Sequence, residues 1–282
     1  MGRQRRLTSI EDYVRALKDG YGLGVSENYR PWLRVNDVRR KKSKAVKVYG
    51  IKTDRTHQLL SGIEEYFFYY AEFNQLIIDI REQFPLFPLD IIVRLAGEAG
   101  INYPIHEKSG DPCVLSTDYL LTLRRNGVVS YLAVAIKSAK DLEDLGVLVR
   151  LEIERLWWSA LKIPWRLVTE EQISKEVALN LAWCSDPLRG SKPVELGEDR
   201  DRLLLQIIDI LNPGIFLWSE LVEQISADLE LSPTLTKKLL KVAIWQQLID
   251  VDLSTLIQET EYLSISSIPS SQENLFNGSI SA

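Results

Sequence analysis

The sequence predicts an α/β protein with a mostly helical C-terminal part, and three observations carry that prediction. Over the first 170 residues, helical periodicity alternates with β-rich runs in the order helix, strand, hairpin, helix, strand, the pattern of a mixed core. Two β-rich runs flank Asn126-Gly127, the strongest short-range hairpin signal. Beyond residue 200 the periodicity is helical, over 200–211, 217–229 and 233–248, and a short β-like run at 249–253 completes a winged-helix-like outline.

Taken in order, residues 10–19 read as an amphipathic helix. Residues 20–56 read as loop, with Gly20, Gly22, Gly24 and Pro31, and no Lys-Ser/Thr follows to make a phosphate loop. Residues 57–73 read as a helix with Leu59, Leu60, Ile63, Phe67 and Tyr70 on its apolar side, 76–80 as a buried strand, and Phe84 to Pro88 as a loop. A two-residue turn at Asn126-Gly127 pairs Arg125 with Val128, so Asp118 falls opposite Ala135. Lys137 then pairs with Ser116 and lies diagonal to Asp118 on the same face, roughly 7–8 Å away at Cα. Ser138 to Asp141 resembles a capping box for a helix reaching about residue 162, with the stripe Leu142, Leu145, Val149, Ile153, Leu156 and Ala160. On that wheel Glu152 borders the stripe and Glu154 points away. Residues 163–168 read as a strand. The expected organisation is a first domain over 1–184, a linker at 185–200, a second domain at 201–263 and a disordered Ser-rich tail at 264–282.

Composition narrows the chemistry. The 282 residues are 45% hydrophobic and 26% charged, and no apolar run approaches the ~18–20 residues of a membrane span. Met1 to Arg6 is basic but is not followed by the apolar region of a secretory signal. Cys113 and Cys184 are the only cysteines, and His57 and His106 the only histidines. A disulfide scaffold, a cysteine-rich zinc site and a multi-histidine centre are excluded, so any metal must rest on carboxylates, which favours magnesium or manganese. Reduced thiols on a soluble chain fit a cytoplasmic setting. Residues 1–60 carry 15 Lys/Arg against 6 Asp/Glu, whereas the whole chain carries a net charge of −5. The densest run is Arg39, Arg40, Lys41, Lys42 and Lys44. It reads either as a solvated loop or as a contact for a polyanion, and Tyr29, Trp32 and Tyr49 nearby favour nucleic acid. Residues 186–282 hold 7 basic and 15 acidic residues. Although Lys237, Lys238 and Lys241 share a helix face, that balance favours a protein partner over DNA.

Three residues carry the candidate chemistry: Glu64 on a helix, Asp118 on one hairpin strand and Lys137 on the other. Two carboxylates can hold a divalent metal beside a scissile phosphate, and a lysine can orient water or stabilise the oxyanion. The same acid and lysine could instead form a cross-strand ion pair worth ~0.2–1 kcal/mol.

Several segments occur in a telling order: Pro31-Trp32-Leu33, His57 to Glu64, Asp79 to Leu86, Leu115 to Leu120, Ala135-Ile136-Lys137 and Ile163-Pro164-Trp165. Together they resemble the TnsA endonuclease subunit of heteromeric transposases, including CRISPR-associated ones, across roughly residues 10–170. The resemblance implies a restriction-endonuclease-like domain with Glu64, Asp118 and Lys137 as active site and Mg2+ as cofactor, Mn2+ substituting. It implies hydrolysis of one DNA strand at the 5′ ends of a transposon. A TnsB-type DDE transposase would act on the 3′ ends, a TnsC-type ATPase regulator would contact the C-terminal domain, and the protein would sit at the nucleoid when active. The chain departs from the family at Ala135, two before the lysine, where a metal-binding polar residue, typically Gln, is usual. The Ala135 backbone carbonyl or a water would have to substitute. Glu152, Gln83 and His57 would support the site. Glu65 reads as a solvated neighbour of Glu64, and His57 as a residue that packs near the helix start. Arg81 reads either as a phosphate contact alongside the basic run or as half of a structural ion pair. Trp157 and Trp158 read as core. Two alternatives stay open: a catalytically weak scaffold coupling the transposase to its ATPase, and a stand-alone nuclease.

Overall fold

Ser9 opens the first helix, α1 (Ile10–Lys18), where its hydroxyl accepts the Asp12 N–H as an N-cap does. The computed structural model describes residues 5–38, 44–189 and 199–268. The chain divides into two units, residues 1–173 and 174–282. In the first, α1 is followed by the hairpin β1 (Val46–Gly50) and β2 (Arg55–Leu59), then α2 (Gly62–Phe73), β3 (Ile77–Pro85), α3 (Leu89–Glu98), β4 (Ser116–Arg125), β5 (Val128–Ile136), α4 (Leu145–Ala160) and β6 (Trp165–Val168). The main sheet runs β3-β4-β5-β6. Its β3–β4 and β4–β5 pairs are antiparallel, and β6 runs parallel to β5 because α4 carries the chain back across the sheet.

The hairpin register follows from its turn. Asn126 and Gly127 both take left-handed backbone, φ 51° and 76°, which lets the turn twist with the strands. Pairing then runs from Arg125↔Val128 to Tyr119↔Val134, which leaves Asp118 as the next residue towards the open end. α3 and α4 are packed with the sheet around Leu86, Ile92, Ala96, Leu120, Ala133, Ile153, Trp157 and Trp158. That core fixes the β4–β5 end on which Asp118 sits.

Several expectations need correction. His57 to Leu59 form β2 rather than a helix start, and α2 begins only after Ser61, whose hydroxyl accepts the Glu64 N–H. The apolar residues of 57–60 fit a half-buried strand as well as a helix, and a short run cannot separate the two. β3 extends through Arg81, Glu82 and Gln83 to Pro85, where a loop was expected from Phe84. The Ser138 cap serves a 3-10 turn, and Asp144 caps α4 itself. The face of α4 is also rotated from the expected stripe: Leu145 is 77% exposed, whereas Leu151, Ile153, Glu154, Trp157 and Trp158 are buried. The two large indole rings are buried on the observed face together with Ile153, at the expense of the rest of the aliphatic stripe. Glu154 therefore points inward and Glu152 outward, the reverse of the expectation.

The second unit begins at residue 174, before the expected boundary at 184, with α5 (Lys175–Ser185). The Asn180 amide explains why: it donates to the carbonyls of Leu253 and Thr255 at 2.9 and 2.6 Å and accepts the Ile257 N–H at 3.1 Å. Then follow α6 (Arg200–Ile210), β7 (Gly214–Leu217), α7 (Trp218–Asp228), α8 (Pro233–Trp245), β8 (Asp250–Val251), α9 (Ile257–Thr260) and β9 (Tyr262–Ser267). Their sheet runs β7-β9-β8. The start of the expected disordered tail is thus strand β9, with Leu263 and Ile265 buried. The rest of that tail from residue 269, and most of the expected linker, lie outside the described residues. Among the described residues no helix is long and apolar enough to cross a membrane.

Candidate active site

Glu64 stands in the first turn of α2 because Ser61 caps that helix. Its carboxylate accepts the Ser61 hydroxyl at 2.9 Å and the Leu60 N–H at 3.0 Å, so both oxygens are fixed. Tyr119 of β4 donates its hydroxyl to the Glu64 carbonyl at 2.9 Å, tying the helix start to the sheet. At the end of the β4–β5 ladder, Asp118 Oδ2 accepts the Ile136 N–H at 2.7 Å and the Lys137 ammonium at 2.6 Å. Lys137 also donates to the Ile136 carbonyl at 2.8 Å. The Gln83 amide on β3 spans the two acids, its Nε2 donating to Glu64 Oε2 at 3.4 Å and to Asp118 Oδ1 at 3.3 Å. The three expected residues therefore converge, and the arrangement opens on a cleft of about 320 Å³ lined among others by Gln83, Ser116, Asp118, Lys137, Arg150 and Glu154.

The electrostatics show the strain of burying these charges. Burial, and then the Asp118 charge, push the Glu64 carboxyl up to about 7 against the pull of its hydrogen bonds. Glu154 on α4 is likewise pushed up to about 7, first by burial and then by Asp118, while Trp165 Nε1 donates to it at 2.9 Å. Burial alone would lower Lys137, but its charge pairing and hydrogen bond with Asp118, with Glu154 and Glu64 adding, hold it above its ordinary value. Lys137 is thus a fixed ammonium that offers charge and protons. No group of three or more His, Cys, Asp or Glu side chains is gathered to hold a metal among the described residues. Glu64 and Asp118 remain a pair of close carboxylates whose mutual repulsion a cation would relieve, and their all-oxygen chemistry fits a hard divalent ion.

Residues 74–170, which contain Asp118, Lys137, Gln83 and Glu154, match the family model described as TnsA-like endonuclease N terminal. The chain is also 36% identical over 170 residues to the Transposon Tn7 transposition protein TnsA of Escherichia coli. That alignment covers 60% of each chain, so this protein spans about three fifths of its curated relative's length. Over residues 74–170 the chain is thus similar to TnsA-like endonuclease N-terminal domains, in agreement with the resemblance carried by the motifs in that stretch.

Around it, the other expected residues find different places. The Ala135 carbonyl does not face the acids. Backbone groups alternate sides along a strand, and the N–H groups of Ala133 and Lys137 donate across to Pro164 and Val168 beside β6, so residue 135 shares that side. Ile136, between them, presents its N–H and carbonyl to the Asp118 side. Its carbonyl, not that of Ala135, is the neutral backbone oxygen at the site. His57 is fully buried in β2: it meets Glu82 at 2.8 Å and Thr53 at 2.7 Å and packs at a tilt against Phe68. Arg81 is 9% exposed, pairs with Asp79 at 3.4 Å, and donates to Thr122 at 3.2 Å, so it takes the structural role. Glu152 lies half exposed in an i,i+3 pair with Arg155 at 2.6 Å. Lys44 is exposed, and Arg39, Arg40, Lys41 and Lys42 lie outside the described residues.

Sequence reasoning misses one residue: Glu154 faces inward, and its signal is the Trp157-Trp158 pair, which marks the buried side. Glu82, which beside Arg81 and Gln83 reads in sequence as a phosphate contact or a support for Glu64, is fully buried. It is the hub of a buried cluster, bonded to both Arg55 nitrogens at 2.6 and 2.9 Å and to His57, and these partners hold its carboxyl far below the usual range although burial alone would raise it. Gly50 makes room for this cluster, since a Cβ there would stand 2.6 Å from His57 Nε2.

Proposed function

We propose that this chain is a metal-dependent DNA endonuclease subunit of a transposase, hydrolysing one strand at the 5′ ends of its transposon. The observation that carries this is the Gln83 amide joining Glu64 to Asp118, which in turn holds the Lys137 ammonium, with Gln83, Asp118 and Lys137 lining one cleft. Glu64 and Asp118 would hold Mg2+ or Mn2+, with the Ile136 carbonyl nearby. Bound there, the ion would lower the pKa of a water and offset charge on the scissile phosphate. Lys137, kept protonated by Asp118, stabilises the negative charge that grows on the phosphate in the transition state and can give its Nζ proton to the leaving oxygen. Glu154, once ionised above about 7, adds negative charge near Lys137 and helps hold that proton. The buried Glu82, Arg55 and His57 cluster keeps β2 locked to β3, next to Gln83.

The implied partners are transposon-end DNA, a TnsB-type transposase and a TnsC-type ATPase regulator. From α6 to β9 the order is helix, strand, helix, helix, strand, short helix α9, strand, which resembles a winged helix with α9 inserted between its last two strands, and we assign partner docking to this unit. A cavity of about 620 Å³ there is lined by Trp183, Trp218, Lys237, Lys238 and Lys241. Lys241 lies 4.3 Å over the Trp183 ring and 3.7 Å from Asp186, and the two tryptophans meet edge to face at 4.9 Å. Aromatic and cationic walls suit an acidic partner segment with an apolar anchor.

The test is Asp118→Ala in a reaction reconstituted with the transposase, the ATPase and transposon ends. Cleavage at the 5′ ends should be abolished while joining of the 3′ ends persists. A mutant that still cuts at the wild-type rate refutes the assignment.

A further inference from the structure

Gln83 lies across from Asp118, because the pairs on either side are Glu82 with Tyr119 and Phe84 with Thr117. On the other side of Asp118, continuing the β4–β5 register, comes Ala135, whose methyl offers no donor or acceptor. Of the two residues flanking the aspartate, Gln83 is thus the one that reaches the site with a polar group. It does so from a costly backbone: its φ is 48°, a left-handed conformation that a residue with a side chain keeps only when its surroundings impose it. Here Trp32 donates its N–H to the Gln83 carbonyl at 3.1 Å, and Tyr29 donates its hydroxyl to the Glu82 carbonyl at 3.0 Å. Such strain gathers at ligand sites.

The side chain is buried, 3% exposed, and each end of its amide has partners. Nε2 lies between Glu64 and Asp118, where its two N–H groups offset two negative charges. Oε1 accepts the Ser116 hydroxyl at 3.0 Å. A hydroxyl both donates and accepts, so Ser116 satisfies either end of the amide. If a cation entered between the acids, an NH2 facing it would be repelled. The opposite orientation puts a neutral oxygen there, the donor a hard divalent ion takes most readily after carboxylate and water.

We infer that Gln83 is a cation ligand whose amide turns over on binding, Oε1 passing to the cation and Nε2 to the Ser116 hydroxyl. This rests on the nuclease reading above. It makes β3 the source of the neutral side-chain oxygen that β5, with Ala135, does not provide.

The test measures cation binding to the full chain, without DNA or partners. Mn2+ affinity is read from the electron paramagnetic resonance of free Mn2+ for wild type, Gln83→Leu and Gln83→Glu. Gln83→Leu should bind at least about tenfold more weakly, the scale on which ligand-shell changes act. Gln83→Glu keeps an oxygen donor and should bind at least as tightly as wild type. Should Gln83→Leu fold poorly, nuclear magnetic resonance of the wild type decides. The Gln83 side-chain NH2 signal, identified as the one missing from Gln83→Glu, should shift when Mg2+ is added. The inference is overturned if Gln83→Leu binds Mn2+ as tightly as wild type or more tightly, or if the NH2 signal stays still while the Ile136 amide responds; either result leaves the nuclease reading intact. If wild type binds neither ion, the metal-dependent reading fails and the inference with it.

Discussion

Replacing Glu154 by Gln tests the electrostatics of the site without touching Glu64, Asp118 or Lys137. Gln keeps an oxygen to accept the Trp165 N–H but cannot ionise. In the folded protein the Glu154 carboxyl is raised to about 7 from an ordinary 4.5, mainly by burial and then by Asp118. Between those two values the folded state therefore holds a proton that the unfolded chain has released. Stability must fall as pH rises through this window, and the penalty is complete above pH 7 and absent below 4.5. A shift of about 2.5 units at 1.36 kcal/mol each corresponds to about 3 kcal/mol. Urea unfolding of wild type and Glu154→Gln across pH 4.5 to 8.5 should show the mutant gaining on wild type by up to about that amount as pH rises. The Glu64 contribution is present in both proteins and largely cancels. A difference that is flat with pH would refute the reasoning, because it would mean that Glu154 is ionised in the folded state over the whole range.

Other perturbations follow from the same interactions. Glu82→Ala leaves the Arg55 guanidinium buried without its carboxylate and should cost about 3–5 kcal/mol in thermal or urea unfolding. Because partners hold the Glu82 carboxyl below its ordinary value, its stabilising effect is full above about pH 4.5 and is lost on acidification, so wild type and Glu82→Gln should converge in stability at low pH. Gly50→Ala drives a methyl against His57 and Thr53 and should lower stability by about 1–3 kcal/mol in urea unfolding. Reversing the charge of Arg39, Arg40, Lys41, Lys42 and Lys44 should weaken DNA binding and flatten its salt dependence, by about 0.9 in log–log slope for each phosphate the run had neutralised. An unchanged slope in a filter-binding titration would show that the run neutralises no phosphate.

Local rules made much of the site legible. The Asn126-Gly127 turn set the register, and the register placed Lys137 within reach of Asp118, as their 2.6 Å hydrogen bond shows. Glu64 lies on the helix whether it begins at residue 57 or 62, so its place is legible although the expected helix starts too early. The readings that failed depended on competition between distant groups. Glu152 and Glu154 are two residues apart on one helix, and only the packing of Trp157 and Trp158 against the sheet decides which of them turns inward. Gln83 falls between the expected strand at 76–80 and the expected loop from Phe84, and nothing local announces that Trp32 and Tyr29 hold its strained backbone in β3.

Sequence alone determined the things that obey short-range rules: the turn, the strand pairing it dictates and the residue types able to bind a hard cation. Tertiary structure decided which face each helix buries, which side of β5 the Ile136 and Ala135 carbonyls take, and which buried charges share a partner. Turn and cap energies depend on a few neighbouring dihedrals and are written into adjacent residues. The energy of burying a carboxylate depends on everything packed around it, and that is set only when the chain closes on itself.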